Sequence, residues 1–292
     1  MKIKVVLILL ILSSVTFSDV FAQKFHKKSD KKKFRVNVEF DEDTRPFMEL
    51  NYGLTEYNHK SFYDDFAKVG NAEIKLGRRY LDNLENEGIT EMKDEYLFFG
   101  VNSLDLKDKN AEGLGSEMIN FGFGMKEGYG YEMGVVNITP YFGGAFTWNK
   151  LNMKDLPDTS LGLTQQLDNK VLERYNKSFR FGQRVEGGLS IGFNKTIFLD
   201  ASYQANVVFP RFMTWKHFGS LAIEVIGVGV ADAFVEEVLD ASPEAAPVIN
   251  FLLKNGIAYG FYMLQKDKMN YPFNSETPLT YETFKVGVTF VF

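Results

Sequence analysis

The residue types that carry out enzymatic chemistry are few and scattered in this chain. It has three histidines, His26, His59 and His217, and no cysteine. No pair of these histidines has the spacing of metal ligands, and a chain without Cys has no thiolate metal site, Cys nucleophile or disulfide. A Gly-x-Ser-x-Gly nucleophile elbow is also missing. The sequence therefore predicts no catalytic residue, no cofactor and no metal site.

Two short motifs suggest a binding or catalytic site, but neither is complete enough to predict one. Gly227-Val228-Gly229 resembles the start of a dinucleotide-binding loop, but Asp232 stands where the third glycine belongs. His59, Asp64 and Asp65 lie close together in a predicted loop, where functional residues often occur. A lipid-modifying enzyme or protease built on these three residues is the least favoured hypothesis, because only their proximity supports it.

The N-terminus has the three parts of a secretory signal peptide. Lys2 and Lys4 precede the apolar run Val5–Leu12, and Val20-Phe21-Ala22 offers small residues at a cleavage site. The alternative is a membrane anchor, but the apolar run is shorter than the roughly 20 residues that span a bilayer. We predict a signal peptide over 1–22, cleaved near Ala22.

Charge in the remaining chain is mixed and slightly acidic. Loss of Lys2, Lys4 and Asp19 with the signal peptide changes the net charge from −5 to −6, so no electrostatic footprint for nucleic acid is expected. A lysine-rich stretch at 23–44 is predicted to be a solvated periplasmic tail. The alternative is contact of this tail with acidic lipid or an anionic polymer.

Most of the chain after this tail alternates between apolar and polar residues. In Ile197–Phe209 every odd residue is apolar, while Asp200, Ser202, Gln204 and Asn206 lie between them. Phe179–Phe193 repeats the pattern, and Asn194-Lys195-Thr196 joins the two runs as a tight hairpin. Such runs exceed the roughly 5–6 residues of a common soluble strand and suit membrane strands of roughly 9–11 residues. Tyr203 is expected to face lipid and Gln204 the lumen.

The last strand carries the most specific pattern. Its apolar residues alternate up to the C-terminus and are Phe284, Val286, Val288, Phe290 and Phe292. The segment resembles the terminal strand of the bacterial outer-membrane β-barrel superfamily. The resemblance implies that barrel-assembly machinery reads these five residues as an assembly signal and that the strand closes the barrel against the first strand. It also implies outer-membrane lipid as a partner.

The predicted fold is an all-β, up-and-down antiparallel transmembrane barrel over 45–292 with about eight strands. With Arg45–Leu54 as the first strand, Lys126–Gly130 and Asn194–Thr196 are expected to be short periplasmic turns. Asn149–Lys177 and Arg211–Pro278 are then long outer loops. Phe34–Phe40 also alternates, so ten or more strands remain open.

A helical insertion is predicted at 218–265, before the last strand. Its apolar residues have helical spacing, and Asp240–Pro247 interrupts the pattern. We expect a helical hairpin folded over or into the barrel mouth, as plug or cap. The alternative is two further strands of the wall.

Charged residues are expected on the inner face of the barrel: Glu49, Arg180, Arg184, Glu186, Asp200 and Lys285. Eight strands leave an interior just filled by side chains, which favours a structural network of ion pairs. A larger barrel favours a polar path that selects solutes. The sequence thus predicts a structural or surface-interaction barrel with a mostly closed lumen. The alternative is a small pore or carrier of a hydrophobic ligand, gated by the insertion.

Overall fold

The computed structural model describes residues 44–63, 65–84, 88–107, 113–153 and 163–292. The predicted signal peptide, the lysine-rich tail apart from Thr44, the possible strand Phe34–Phe40, and Asp64 lie outside the described residues.

The described residues form eight long strands. Each strand pairs antiparallel with its sequence neighbours, and β1 pairs with β8, so the sheet closes into a barrel. The strands are β1 (Thr44–Asn58), β2 (Val69–Asn83), β3 (Ile89–Ser103), β4 (Ser116–Met133), β5 (Val136–Met153), β6 (Phe179–Phe193), β7 (Ile197–Val208) and β8 (Leu279–Val291). The predicted eight-stranded antiparallel barrel is confirmed.

The connections differ in length at the two ends of the barrel. At the end that holds the start of β1, they cover 84–88, 134–135 and 194–196, and we call this the turn end. At the opposite, loop end, the strands are separated in sequence by 59–68, 104–115, 154–178 and 209–278. Short turns at one end and long loops at the other are typical of outer-membrane barrels.

One predicted turn is wrong. Lys126–Gly130 belongs to β4, which continues to Met133, and the turn is Gly134-Val135. Gly128 in this segment allows β5 to approach closely, because a Cβ at this position would lie 2.2 Å from the carbonyl oxygen of Pro140 on β5. Glycine at this position admits the neighbouring strand, which explains why a turn-like composition forms a strand.

Burial in the barrel is the reverse of that in a soluble protein. On β1 the inward Glu49 and Asn51 are buried, whereas the outward Leu50, Tyr52 and Leu54 are exposed. The same outward exposure recurs around the wall, at Leu76, Leu97, Phe99, Ile119, Phe121, Leu189, Leu199, Phe284 and Val286. Alternation therefore directs polar groups to the interior and apolar groups to the outside.

Within the described residues of the loop-end connections, the chain forms three α-helices. Helix α1 (Leu163–Leu172) is between β5 and β6, and α2 (Thr214–Ala241) and α3 (Ala246–Gln265) are between β7 and β8. A single-turn 3-10 helix at Pro243–Ala245 separates α2 from α3. The predicted helical insertion is confirmed as two helices, with α2 starting at Thr214 rather than Phe218.

The predicted position of this hairpin is wrong. It lies neither over nor inside the barrel mouth, because α3 packs along the outer face of β4 to β7. Residues on the outward positions of these strands contact it: the ring of Tyr203 lies 6.3 Å from that of Tyr259, and Glu127 pairs with Lys254 at 2.6 Å. The hairpin is therefore an outer layer on one side of the wall.

Candidate functional site

Two regions concentrate polar chemistry, and the first is the barrel interior. Ten charged side chains from the described strands are buried there, five carboxylates and five cations. They are Glu49, Glu73, Asp94, Glu186, Asp200, Lys75, Arg79, Lys126, Arg184 and Lys285. Because a buried charge needs a partner, this equality of opposite charges is what a closed interior requires.

The middle of this network consists of four residues, Lys75, Glu49, Glu186 and Lys126. The Lys75 ammonium lies 3.0 Å from Oε1 of Glu49 and 3.0 Å from Oε1 of Glu186. Lys126 lies 2.7 Å from the other oxygen of Glu49. The side chains of all four residues are fully buried, so each carboxylate bridges charges that water does not reach.

Further pairs extend the network toward both ends. Arg79 donates to both oxygens of Asp94 at 2.8 and 2.7 Å, the bidentate geometry that makes such pairs strong. Arg184 and Lys285 bind opposite oxygens of Glu73, at 2.6 and 2.5 Å.

Aromatic rings pack against the same cations. The guanidinium groups of Arg79 and Arg184 lie 4.4 Å from the Phe198 ring centre and 4.2 Å from that of Phe98, respectively. These rings fill the space that the ion pairs leave, which makes the interior a packed core.

The structure brings five of the six predicted lumen residues into this network. Glu49, Arg184, Glu186 and Lys285 take part directly, and Asp200 accepts a hydrogen bond from Thr289 at 2.7 Å and lies 3.7 Å from Lys126. The sixth, Arg180, is also on an inward position, but it lies near the loop end opposite Asn149 and is only half-buried.

Sequence reasoning missed the other half of the network. Strand β2 carries charged residues on one face at Glu73, Lys75 and Arg79, which are two and four positions apart. Because side chains two positions apart share a face of a strand, this spacing predicts their inward position. The adjacent Arg78 masked this alternation. Lys126 lies in the segment Lys126–Gly130 that the sequence predicts to be a turn, so the alternation of a strand was not applied to it.

The loop end of the interior is capped by apolar side chains. The cap consists of Tyr57, Phe66, Val69, Met118, Leu151, Met153, Leu172, Tyr175, Val208, Leu279 and Tyr281, with Phe62 packed against it. Phe62 and Phe66 stack at 4.6 Å, and the Tyr175 hydroxyl accepts a hydrogen bond from the backbone of Leu279 at 3.0 Å. The β1–β2 and β5–β6 loops, together with Leu104 and Leu114 of the β3–β4 loop, thus close the barrel above the charged layer.

His59 lies beside this cap. Its ring is buried beside Tyr175, and its Nδ1 accepts a hydrogen bond from the backbone of Ser61 at 3.2 Å. Burial lowers the pKa of His59 below its usual value. Asp65, by contrast, is exposed. In the part of the chain that the structure describes, no group of three His, Asp or Glu side chains has the geometry to hold a metal ion.

The second polar region is the interface between the hairpin and the outer wall. Lys254 on α3 pairs with Glu127 of β4 at 2.6 Å and with Asp232 of α2. Gln183 on β6 donates to Gln265 at 3.0 Å and to Glu224 at 3.3 Å. These contacts join both helices to the wall, Lys254 from midway along α3 and Gln265 from its loop end.

A further set of contacts lies at each end of the hairpin. Glu282 of β8 accepts hydrogen bonds from Tyr203 at 2.6 Å, Tyr262 at 2.8 Å and Lys266 at 2.8 Å. At the turn end, the Tyr131 hydroxyl donates to the carbonyl oxygen of Glu244 at 2.6 Å. The hairpin is thus attached along its length, and Tyr203, although it points outward as predicted, lies under α3.

A cleft of about 310 Å³ remains between α3 and strands β6 and β7. It is lined by Val185, Glu186, Gly187, Tyr203, Ala205, Phe251, Asn255, Ala258 and Tyr259. Most of these side chains are apolar, so the cleft suits an apolar group.

The residues of the predicted assembly signal lie on the outer face of β8 or at its end. Phe284, Val286 and Phe292 are exposed, and Val288 and Phe290 are partly exposed. Register places this strand fully along β1, and the backbone of Phe292 donates to the carbonyl of Pro46 at 2.9 Å.

Comparison with known proteins gives only distant structural likenesses. No family model matches this chain, and no curated protein matches it as a relative. The crystal structure of Neisserial surface protein A aligns with a TM-score of 0.39 and 12% identity, over 85% of this chain and 97% of that one. Ail, the attachment invasion locus protein of Yersinia pestis, aligns with a TM-score of 0.34 and 9% identity, over 86% of this chain and 99% of that one. At these values the likeness carries no argument about function, and the barrel fold rests on the strand pairing described above.

Proposed function

We propose that this chain is an integral barrel of a bacterial outer membrane, with a closed interior and a structural or surface-interaction role. The observation that carries the proposal is the reversed burial, with ion pairs inside and exposed Leu, Phe and Tyr side chains around the outside. An exposed apolar surface of this extent is unfavourable in water. In transmembrane barrels, the apolar outer face of long strands contacts the lipid of the bilayer. The predicted signal peptide supports export to that membrane.

The packed interior argues against a conducting pore. Lys75, Glu49, Lys126 and Glu186 fill the middle of the barrel, and the apolar cap lies above them. A solute path needs lining groups that water and ions reach, whereas these side chains bind each other. Function is then left to the loops at the loop end, whose long connections are the surface that the barrel offers to partners.

Two measurements test this proposal. The membrane fraction of lysed cells should contain the protein. Its gel mobility should change on heating, because a folded barrel migrates differently from the unfolded chain. In planar bilayers the reconstituted protein should give no single-channel conductance, with an open porin-type barrel as positive control. Loss of heat-modifiable mobility would contradict the membrane barrel, whereas discrete conductance steps would contradict only the closed interior.

Binding of a hydrophobic molecule is a second candidate function, favoured by the cleft between α3 and the wall. Ala205 and Ala258 line it with small side chains. Filling the cleft with Ala258→Phe should abolish co-purification of a lipid detected by native mass spectrometry, with Ala222→Phe on the exposed side of α2 as the matched control. Equal lipid content in both variants would remove the cleft as a binding site.

A further inference from the structure

The α2–α3 hairpin follows the barrel wall from one end to the other. Its apex at the turn end is joined to Tyr131, close to the β4–β5 turn, through the carbonyl of Glu244. Its loop end is joined to Glu282, near the start of β8, through Lys266. Helix α2 has 28 residues and α3 has 20. At 1.5 Å per residue they measure about 42 and about 30 Å, and the hydrocarbon core of a bilayer is about 30 Å thick.

Helix α3 separates its polar and apolar residues by side. Asn250, Lys254, Ala258, Tyr262 and Gln265 recur at helical spacing and are buried. Val248, Leu252, Met263 and Leu264 are exposed on the other side. Lys254 would make an isolated membrane helix unfavourable, but here Glu127 and Asp232 pair with it. The polar side of α3 thus packs on the wall, and its apolar side forms the outer surface.

Helix α2 is apolar along its exposed side and polar at its ends. It is long and apolar enough, by length and composition, to cross a membrane. Its exposed side includes Phe218, Ile223, Ile226, Val230 and Phe234. Trp215 and Lys216 lie in its first turn at the loop end, and Glu236, Glu237 and Asp240 lie in its last two turns. An aromatic side chain such as Trp215 is typical of the boundary of a spanning segment, and the charged residues lie in the turns at the two ends of α2.

The wall beneath the hairpin also requires cover at membrane depth. Glu127 and Gln183 occupy outward positions on β4 and β6, where neighbouring outward residues such as Phe121 are apolar. Without the hairpin both polar groups would face lipid, which is unfavourable well inside the bilayer. The hairpin satisfies them through Lys254, Gln265 and Glu224.

From these observations we infer that the hairpin crosses the bilayer beside the barrel, with its apex on the periplasmic side and its outer faces against lipid acyl chains. The inference rests on the proposed function, because it takes the wall to be embedded in a membrane. The exposed faces of α2 and α3 continue the lipid-facing surface of the strands, so the acyl chains of the bilayer are their partner. The inserted segment is then part of the membrane-spanning shell.

Single-cysteine labelling tests the inference, since the native chain has no cysteine. Intact cells would be treated with a membrane-impermeant maleimide before and after permeabilisation of the outer membrane. Ser242→Cys at the apex should be labelled only after permeabilisation, and Ala241→Cys is a second apex variant in case the first fails to fold. Tyr63→Cys, 70% exposed in the β1–β2 loop, should be labelled on intact cells. Ile226→Cys, 66% exposed midway along α2, should stay unlabelled until detergent is added.

The outcome separates the inference from the function on which it rests. Each variant is first checked for heat-modifiable gel mobility, which reports the barrel alone. Apex labelling on intact cells with that mobility preserved would overturn the transmembrane hairpin and leave the barrel standing. Labelling of Ile226→Cys without detergent would do the same, because it would place α2 in water. Loss of heat-modifiable mobility in the native protein would instead remove the proposed function itself.

Discussion

Lys75 lies between two buried carboxylates, and this arrangement decides how the interior responds to substitution. Its ammonium is 3.0 Å from Glu49 and 3.0 Å from Glu186, and none of the three side chains is exposed. The desolvation of these groups is a large cost that their mutual attraction offsets. Removing one cation therefore leaves two carboxylates near each other without their shared partner, which is far worse than losing an exposed ion pair.

Lys75→Met should lower the free energy of unfolding by about 3–5 kcal/mol, the range for breaking a buried ion pair. The measurement is urea unfolding of the protein reconstituted in lipid vesicles. Lys68→Met is the matched control, because Lys68 pairs with Glu56 on the exposed outer surface and should change the midpoint little. Similar midpoints for the two variants would mean that water reaches the interior.

His59 should make the loop-end cap sensitive to acid. Burial keeps its pKa in the folded protein below the ordinary value of about 6.5. Arg174 acts in the same direction, and Asp168 and the Thr277 carbonyl act against it. The stabilisation from neutral His59 is complete above the unfolded pKa and is lost as the pH falls from there toward the folded pKa.

The measurement for His59 is the unfolding midpoint at pH 7.5 and pH 5. The native protein should be less stable at pH 5, and His59→Gln should lose part of that difference because Gln does not titrate. An unchanged difference in the variant would assign the acid sensitivity to other groups.

At the scale of elements, the strands were predictable and the packing of the helices was not. Alternation in β6, β7 and β8 shows which side of each strand is apolar, and the outward exposure of Leu199 and Phe284 agrees with it. The position of the hairpin depends on contacts such as Gln183 with Gln265, 82 residues apart in sequence. No local pattern records such pairs. Glu127 and Gln183 on an outward face were the available signal, since polar groups there need cover.

The facing of β3 gives a direct test of the lipid-exposed wall. Leu97 is 67% exposed on an outward position of a strand that the hairpin does not cover. Leu97→Arg should destabilise the barrel in vesicles by about 2–4 kcal/mol, the cost of Arg near the bilayer midplane. Tyr63→Arg in the β1–β2 loop is the control and should have a small effect. Equal effects in vesicles would show that β3 does not face lipid.

The terminal strand supports a prediction about assembly. Phe292→Asp should reduce the amount of folded barrel in cells, because the C-terminal residues 284–292 are proposed to be read by the assembly machinery. Folded protein would be measured by heat-modifiable mobility in membrane fractions. Leu199→Asp, an equally apolar outward position on β7, separates recognition from stability when both variants are also refolded in vitro. Phe292→Asp should refold normally and fail only in cells, so normal cellular levels would contradict the role.

At the scale of the whole molecule, the two polar regions have different structural roles. Interior ion pairs join strands that are distant in sequence, as Lys285 of β8 joins Glu73 of β2. Interface contacts join the wall to the helices and keep outward polar groups away from lipid. Since the lumen is filled by strand side chains and the apolar cap, its closure does not depend on the hairpin. The hairpin instead stabilises the side of the wall that it covers.

Replacement of 214–265 by a short Gly/Ser loop tests this division. Strands β7 and β8 pair with each other from Val208 and Leu279 to Ile197 and Phe290, so the barrel should still close. Loop shortening itself has a modest entropic effect. The variant should be less stable than the native protein in vesicles, because Glu127, Gln183 and Glu282 then face lipid. Changing these three residues to Leu in the same variant should restore much of the loss. Single-channel recordings should remain silent in both variants, whereas channels that open only after the replacement would show that the hairpin closes the lumen after all.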